Sequence, residues 1–438
     1  MGLTSSSSKQ LASHFGEEEA AGRRGPTLGC VLLEGEAGSY QLLVVTPLKI
    51  QVYDGHSAKV LQAQESVESA LRSHAPLTAF CQGASTSSSS QMAVGCQDGA
   101  VLRFNLGCAL GPELHFEEEN LGAELPALAK SITALHMYRG QLFAGTCGRC
   151  FWHLDGEQRE FHLPRTPEGE PPTATSLVAV PKEAGLQLWV GMDTGSLAVF
   201  EVETGMLVRT FSCGGPEIVV ALAFSEKTSV VFALSAHKRV GIWDTDSYAC
   251  LQKYPAELMT CGADLSAMGA FDVVSLGMSL LVLAGVDGSL CLRRITRRED
   301  RKLNCILLWY LGDGGMECPI TSVNFHYETE TVLLGDAGCR VQLQNIKEHV
   351  STSQEMLPVR KAASQVPEPA GAAAGAMPGA TEPPLPPPPQ PPSPSQISPA
   401  AGEPRRDAEL SPGAEPGAAE GAAEGANAAF PVFAGQSD

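Results

Sequence analysis

A short run of β-forming residues, a tight turn and a second such run recur seven times in this 438-residue chain, at residues 42–53, 91–104, 141–152, 188–200, 230–244, 281–292 and 332–343. The turn positions are Pro47, Gly99, Gly148, Gly195, Lys238, Gly288 and Gly338, separated by 52, 49, 47, 43, 50 and 50 residues. A repeat of this length is one supersecondary unit that cannot bury its apolar faces alone and must stack on its neighbours. Glycine at most of the turns fits a two-residue hairpin, which needs positive φ. Lys238 and Pro47 depart from that chemistry, and the first copy is the least regular.

Most copies are preceded by a further strand, at residues 132–136, 176–180, 219–224, 271–276 and 320–325, and some are followed by an outer one, at 206–211 and 251–254. Three or four strands per copy, with near-continuously apolar inner runs, predict blades packed between blades. No segment has a helical period longer than about three turns. The expected fold is all-β: a seven-bladed β-propeller over residues 27–359. Either residues 355–359 or part of the N-terminal arm supplies the strand that closes the ring.

Gly241-Ile242-Trp243-Asp244, followed by Thr245-Asp246-Ser247 and Cys250-Leu251, resembles the third-strand signature of WD40 repeats. Residues 188–200, Leu-Trp-Val-Gly-Met-Asp-Thr-Gly-Ser-Leu-Ala-Val-Phe, are similar to blades of the degenerate WD40-like propellers in large Rho exchange factors and Roco-type kinases. The resemblance spans residues 27–350. It implies the propeller fold and, by analogy, partner binding at loops and rim. The Gly-His dipeptide and the Asp-His-Ser/Thr-Trp network of strong WD40 repeats are mostly missing.

Outside the repeats, residues 1–26 read as a flexible polar arm. Residues 360–438 read as a disordered tail rich in proline, alanine and glycine, too poor in apolar residues to offset chain entropy. The net charge is −19, of which residues 361–438 carry −6. That balance argues against nucleic acid, which needs many cations facing phosphates. No run approaches the ~20 apolar residues of a membrane span. The 13 cysteines, an odd number spread singly along apolar runs behind a polar N-terminus, suit reduced thiols in a cytoplasmic protein.

Met1-Gly2-Leu3-Thr4-Ser5-Ser6 fits N-myristoylation at Gly2, with a serine four residues later. One myristoyl chain gives only marginal membrane binding, so firm attachment needs a second signal. Arg293, Arg294, Arg297, Arg298, Arg301 and Lys302 form the densest basic run, expected on the loop between the third and outer strands of blade six. It would face anionic lipid or an acidic partner. Cys147-Gly-Arg-Cys150 has metal-ligand spacing, but a structural zinc needs four ligands and no second pair accompanies it.

In the tail, Pro384, Leu385, Pro386, Pro387, Pro388 and Pro389 favour polyproline II, the conformation read by SH3, WW, EVH1 and profilin-type modules. Ser393, Ser398 and Ser411, each before proline, are candidate phosphorylation sites, as is Thr166. The chain has no Gly-x-Ser-x-Gly, phosphate-binding Gly-rich loop or His-Glu-x-x-His. No catalytic residue, metal or cofactor is therefore expected. These readings converge on a non-catalytic scaffold, tethered to a cytoplasmic membrane face by the lipid, with protein partners. A fixed subunit of a trafficking or ciliary assembly is the alternative. A propeller enzyme with a central-channel site is a further one.

Overall fold

The computed structural model describes residues 14–15 and 25–347, apart from 35–38, 62–73, 75, 84–88, 108–114, 121–129, 155, 214, 237–238, 256–263, 299–301 and 313–315. The chain divides into Met1–Ala362 and Ala363–Asp438, and the second unit lies outside the described residues. Among the described residues of the first unit, 28 strands form seven antiparallel four-stranded sheets. Each sheet is one blade, built outward from an inner strand, here called a, through b and c to an outer strand d. Blade four shows the plan: Ala174–Lys182, Gly185–Met192, Ser196–Glu201 and Leu207–Ser212.

Burial explains the sequence pattern. Strand b of blades five, six and seven, Val230–Ser235, Met278–Gly285 and Thr331–Asp336, is buried at every position. Neighbouring blades cover both faces of such a strand, so alternation gives way to continuous apolar runs. Strand d of blade four is instead exposed along nearly all its length. Between blades four and five the core is aromatic: Phe211 lies 5.5 Å from Trp189 and 4.5 Å from Trp243, ring centre to ring centre. Between blades six and seven Phe271 stacks on Phe325 at 5.2 Å.

The turns between strands b and c are mostly one residue longer than the sequence pattern suggests. In blades two, four and six the loop has three residues and ends on Gly99, Gly195 or Gly288, each with positive φ. This is a type I turn closed by a left-handed residue. In blade seven Gly338 is not the left-handed residue; Cys339 is, at φ 63°. The Asp336 carboxylate fixes that turn by accepting the Gly338 and Arg340 N–H groups, both at 2.8 Å. Blades one and three keep two-residue turns, Pro47-Leu48 and Cys147-Gly148. The Lys238 turn lies outside the described residues.

A second glycine recurs at the end of strand b, where the next blade approaches. A Cβ on Gly95 would lie 2.3 Å from Ile132 of blade three, and one on Gly335 would lie 2.4 Å from Thr27 of blade one. Only glycine admits these approaches.

The ring closes through the N-terminal arm. His14–Phe15 pairs antiparallel with Val341–Asn345, strand c of blade seven, and so forms that blade's outer strand. Blade one begins afterwards, at Gly29–Glu34. The last repeat is thus completed by residues from the opposite end of the domain, which leaves few unprotected edges. Residues 355–359, the other candidate for closure, lie outside the described residues.

Candidate functional site

The inner strands of all seven blades surround a central channel of about 900 Å³. Strand a carries a β-bulge near its start in blades two, four, five, six and seven. A bulge re-aims one side chain, and here it turns that residue toward the next blade. Thr78 donates its hydroxyl proton to the Ile132 carbonyl at 2.5 Å. Thr175 donates to Val219 at 2.5 Å, Ser266 to Ile320 at 2.6 Å, and Thr321 to Thr27 at 2.7 Å. Thr133, just before strand a of blade three, does the same to Ala174 at 2.6 Å. Leu28 and Val220 occupy the equivalent places at the remaining two junctions.

Three of these hydroxyls also sit within 3.0–3.3 Å of a glycine carbonyl in their own blade, at Gly95, Gly145 and Gly335. The bare glycine that admits the neighbouring blade also brings its carbonyl within reach. Other polar groups of the channel wall are similarly engaged. Asn324 donates through Nδ2 to Gln82 Oε1 at 2.6 Å and to the Cys30 carbonyl at 3.0 Å, linking blades seven, two and one. Asp272 accepts the Ser225 hydroxyl at 2.8 Å and the Lys227 N–H at 3.0 Å. His136 is half-buried in the wall; dense surroundings push its pKa down to about 4, which keeps it neutral near pH 7.

The disc has two faces. One, called upper here, carries the b–c turns and the links between blades. The lower carries the a–b and c–d turns. On the lower face the third-strand signature at Trp243-Asp244 folds as a side-chain cap. Asp244 accepts the Ser247 N–H and hydroxyl, each at 2.8 Å, and the Asp246 N–H at 3.1 Å. Blade one repeats the device: Asp54 accepts the N–H and hydroxyl of Ser57, both at 2.7 Å. Burial alone would raise the Asp244 pKa, but the Ser247 bonds and the Arg297 guanidinium outweigh it and hold the carboxyl at about 2.

Arg297 corrects the reading of the basic run as one loop. Arg293, Arg294 and Arg297 lie within strand c of blade six, Leu290–Arg297, and only Arg298 and Lys302 are described beyond it. The strand runs longer than the repeat suggests because it pairs along its whole length with Leu303–Leu311. Arg297 binds the Asp244 carboxylate and donates to the Thr228 carbonyl at 2.9 Å, tying blade six to blade five. Arg293 donates to the Cys305 carbonyl at 3.1 Å within its own blade. Arg298 and Lys302 are exposed on the lower face, and Arg301 lies outside the described residues.

Cys147 and Cys150 lie on different elements. Cys147 sits in the b–c turn of blade three, its thiol 3.7 Å from the Pro171 carbonyl, and Cys150 is buried on strand c, where burial raises its pKa. Among the described residues no group of three or more His, Cys, Asp or Glu is placed to hold a metal. Thr166 lies in an upper-face turn and accepts the Glu170 N–H at 3.2 Å. Gly2, the Pro384–Pro389 segment, Ser393, Ser398 and Ser411 lie outside the described residues.

Sequence reasoning passed over the exposed apolar side chains. Val274, in the a–b turn of blade six, is 90% exposed, and Tyr327, in the a–b turn of blade seven, is 55% exposed. Both fall where a turn residue is expected to be polar, and that was their signal. At the rim of blade four Met206, Leu207 and Val208 are exposed in a row. Among the described residues no helix is long and apolar enough to cross a membrane.

No protein-family model matches this chain, and no curated protein matches it. Among solved structures it is similar to the WD40 β-propeller domain of Doa1, with a TM-score of 0.51 and 12% identity over 76% of this chain and 96% of that one. It is also similar to Raptor of Chaetomium thermophilum, with a TM-score of 0.52 and 11% identity over 73% of this chain and 28% of that one. At such identities the likeness is one of fold, and that fold is the seven-bladed WD40-like β-propeller.

Proposed function

We propose that this chain is a non-catalytic interaction scaffold, held at a cytoplasmic membrane face by myristoylation of Gly2. The observation that carries the reading is the closed disc itself. Five of its seven blade junctions are locked by hydroxyl–carbonyl bonds, and it presents loops on two faces. A rigid body with many loops and few free edges suits binding of several proteins at once. The channel-wall groups Asp272 and Asn324 join blade to blade, a structural task.

The lipid reading rests on Met1-Gly2-Leu3-Thr4-Ser5-Ser6. In the tail, Pro384-Leu385-Pro386-Pro387-Pro388-Pro389 would recruit an SH3, WW, EVH1 or profilin-type module. Ser393, Ser398 and Ser411 would add negative charge near it when phosphorylated. A second reading, a subunit fixed in a larger assembly, draws on the exposed Met206-Leu207-Val208 edge, which suits permanent cover.

Cell fractionation of the full chain beside a Gly2→Ala variant tests the proposal. The scaffold reading expects wild type in the membrane fraction and the variant in the soluble one. Equal solubility of both rejects the tether. Membrane or particulate retention of both favours the fixed subunit.

A further inference from the structure

The two exposed apolar turns of the lower face stand at the mouth of the central channel. Val274 and Tyr327, 90% and 55% exposed, both line the space of about 900 Å³ that the inner strands enclose. Tyr327 is braced from within the wall. Its ring meets the Phe325 ring edge to face at 5.0 Å, and Phe325 stacks on Phe271 at 5.2 Å. A ring held in this way loses little conformational freedom when a partner covers it. An apolar side chain at a hairpin tip gains free energy when another apolar group displaces its water.

The charges that line the channel have one sign. Glu226 and Asp272 are among its lining residues, and no described lysine or arginine is. The a–b turn residues 35–38 and 84–88, outside the described residues, contain no lysine or arginine in sequence. The cations at the other a–b hairpins are engaged elsewhere. Arg139 lies over the Tyr138 ring at 5.1 Å, Lys182 binds Asp246 at 2.6 Å, and Lys227 donates to the Gly277 carbonyl. Glu226 is exposed, and its carboxylate holds no ion pair among the described residues. Asp272 is fixed by the Ser225 hydroxyl on one oxygen and the Lys227 N–H on the other, which leaves a lone pair on each. Such a mouth repels nucleic acid and anionic lipid and attracts cations. An arginine there would also stack on the face of a tyrosine. The space holds a few side chains and is too small for a folded domain, so the occupant is an extended segment.

We infer that the lower mouth of the channel binds an extended cationic segment of a partner protein: an apolar side chain of the segment packs on Val274 and Tyr327, and a neighbouring arginine or lysine reaches Glu226 and Asp272. This names one class of partner for the proposed scaffold. It rests on that reading and is independent of the lipid at Gly2.

The test pans a phage library of random short peptides on the full chain and measures the enriched peptides, made synthetically, by fluorescence anisotropy. Enriched sequences should carry arginine or lysine beside a leucine or an aromatic residue, and added salt should weaken their binding. Glu226→Lys and Val274→Lys, both at exposed positions, should each weaken it by roughly tenfold or more. Leu48→Lys, an exposed apolar position on the upper face, should leave it unchanged. Enriched peptides that bind both lower-face variants as tightly as wild type, or lose as much to Leu48→Lys, overturn this site and leave the scaffold reading standing. Enrichment of acidic peptides overturns it in the same way. A library that enriches nothing overturns the site and counts against the scaffold reading as well.

Discussion

The Thr321 hydroxyl donates to the Thr27 carbonyl at 2.7 Å, joining residues 294 positions apart and locking blade seven to blade one. Four further junctions use the same bond, so ring closure is one instance of a repeated device. Thr321→Val keeps the shape and removes the donor. It should cost about 1 kcal/mol in chemical denaturation. Thr133→Val should cost a similar amount. A change near zero in both would show that water replaces the bond freely.

The Asp244–Arg297 pair holds blade five to blade six. Asp244 is almost wholly buried, and its loss would strand the Arg297 guanidinium and the Ser247 donors. Asp244→Ala should destabilise the propeller by about 3 kcal/mol, and Arg297→Met by less, since the arginine side chain is 25% exposed. A double-mutant cycle measures the coupling. Additive effects would contradict a direct bond.

His136 gives the fold a mild acid sensitivity. Its pKa falls from 6.5 to about 4 in the folded chain because of burial. The folded state therefore binds the proton less readily than the unfolded one. The stability it contributes is present above pH 6.5 and is lost as pH falls from 6.5 toward 4. His136→Gln should flatten the decline of the denaturation midpoint across that window. An unchanged slope would mean that the imidazole titrates at its ordinary value.

The closing strand makes two sorts of truncation unequal. Removing residues 1–16 deletes the His14–Phe15 pairing and bares an edge of blade seven. Stability should fall by about 1–2 kcal/mol, with self-association visible in light scattering. Removing residues 363–438 should leave the denaturation midpoint of the propeller unchanged. Equal effects would contradict closure by the arm.

The period of the repeats was legible because glycine is needed at turns such as Gly99, Gly195 and Gly288, and because strand b is apolar throughout. Gly338 misled by one residue, since the Asp336 cap moves the left-handed position to Cys339. The closing strand was only one of two candidates because two residues, His14–Phe15, carry no pattern of their own. The hydroxyl links went unread because each is a single residue in its blade, at Thr78, Thr133, Thr175, Ser266 and Thr321. The arginine run looked like a loop because charge conceals a strand whose partner, Leu303–Leu311, holds it by backbone bonds. Val274 and Tyr327 were invisible as exposed residues until the hairpins that carry them were placed.

The membrane-held scaffold is tested most directly at Gly2. The full chain would be expressed in eukaryotic cells fed an alkynyl myristate, and its N-terminal peptide analysed by mass after digestion. The account predicts that the initiator methionine is removed and the probe is amide-linked to Gly2, with no incorporation in Gly2→Ala. A wild-type peptide that retains Met1, or that carries a free or acetylated terminus, would contradict it.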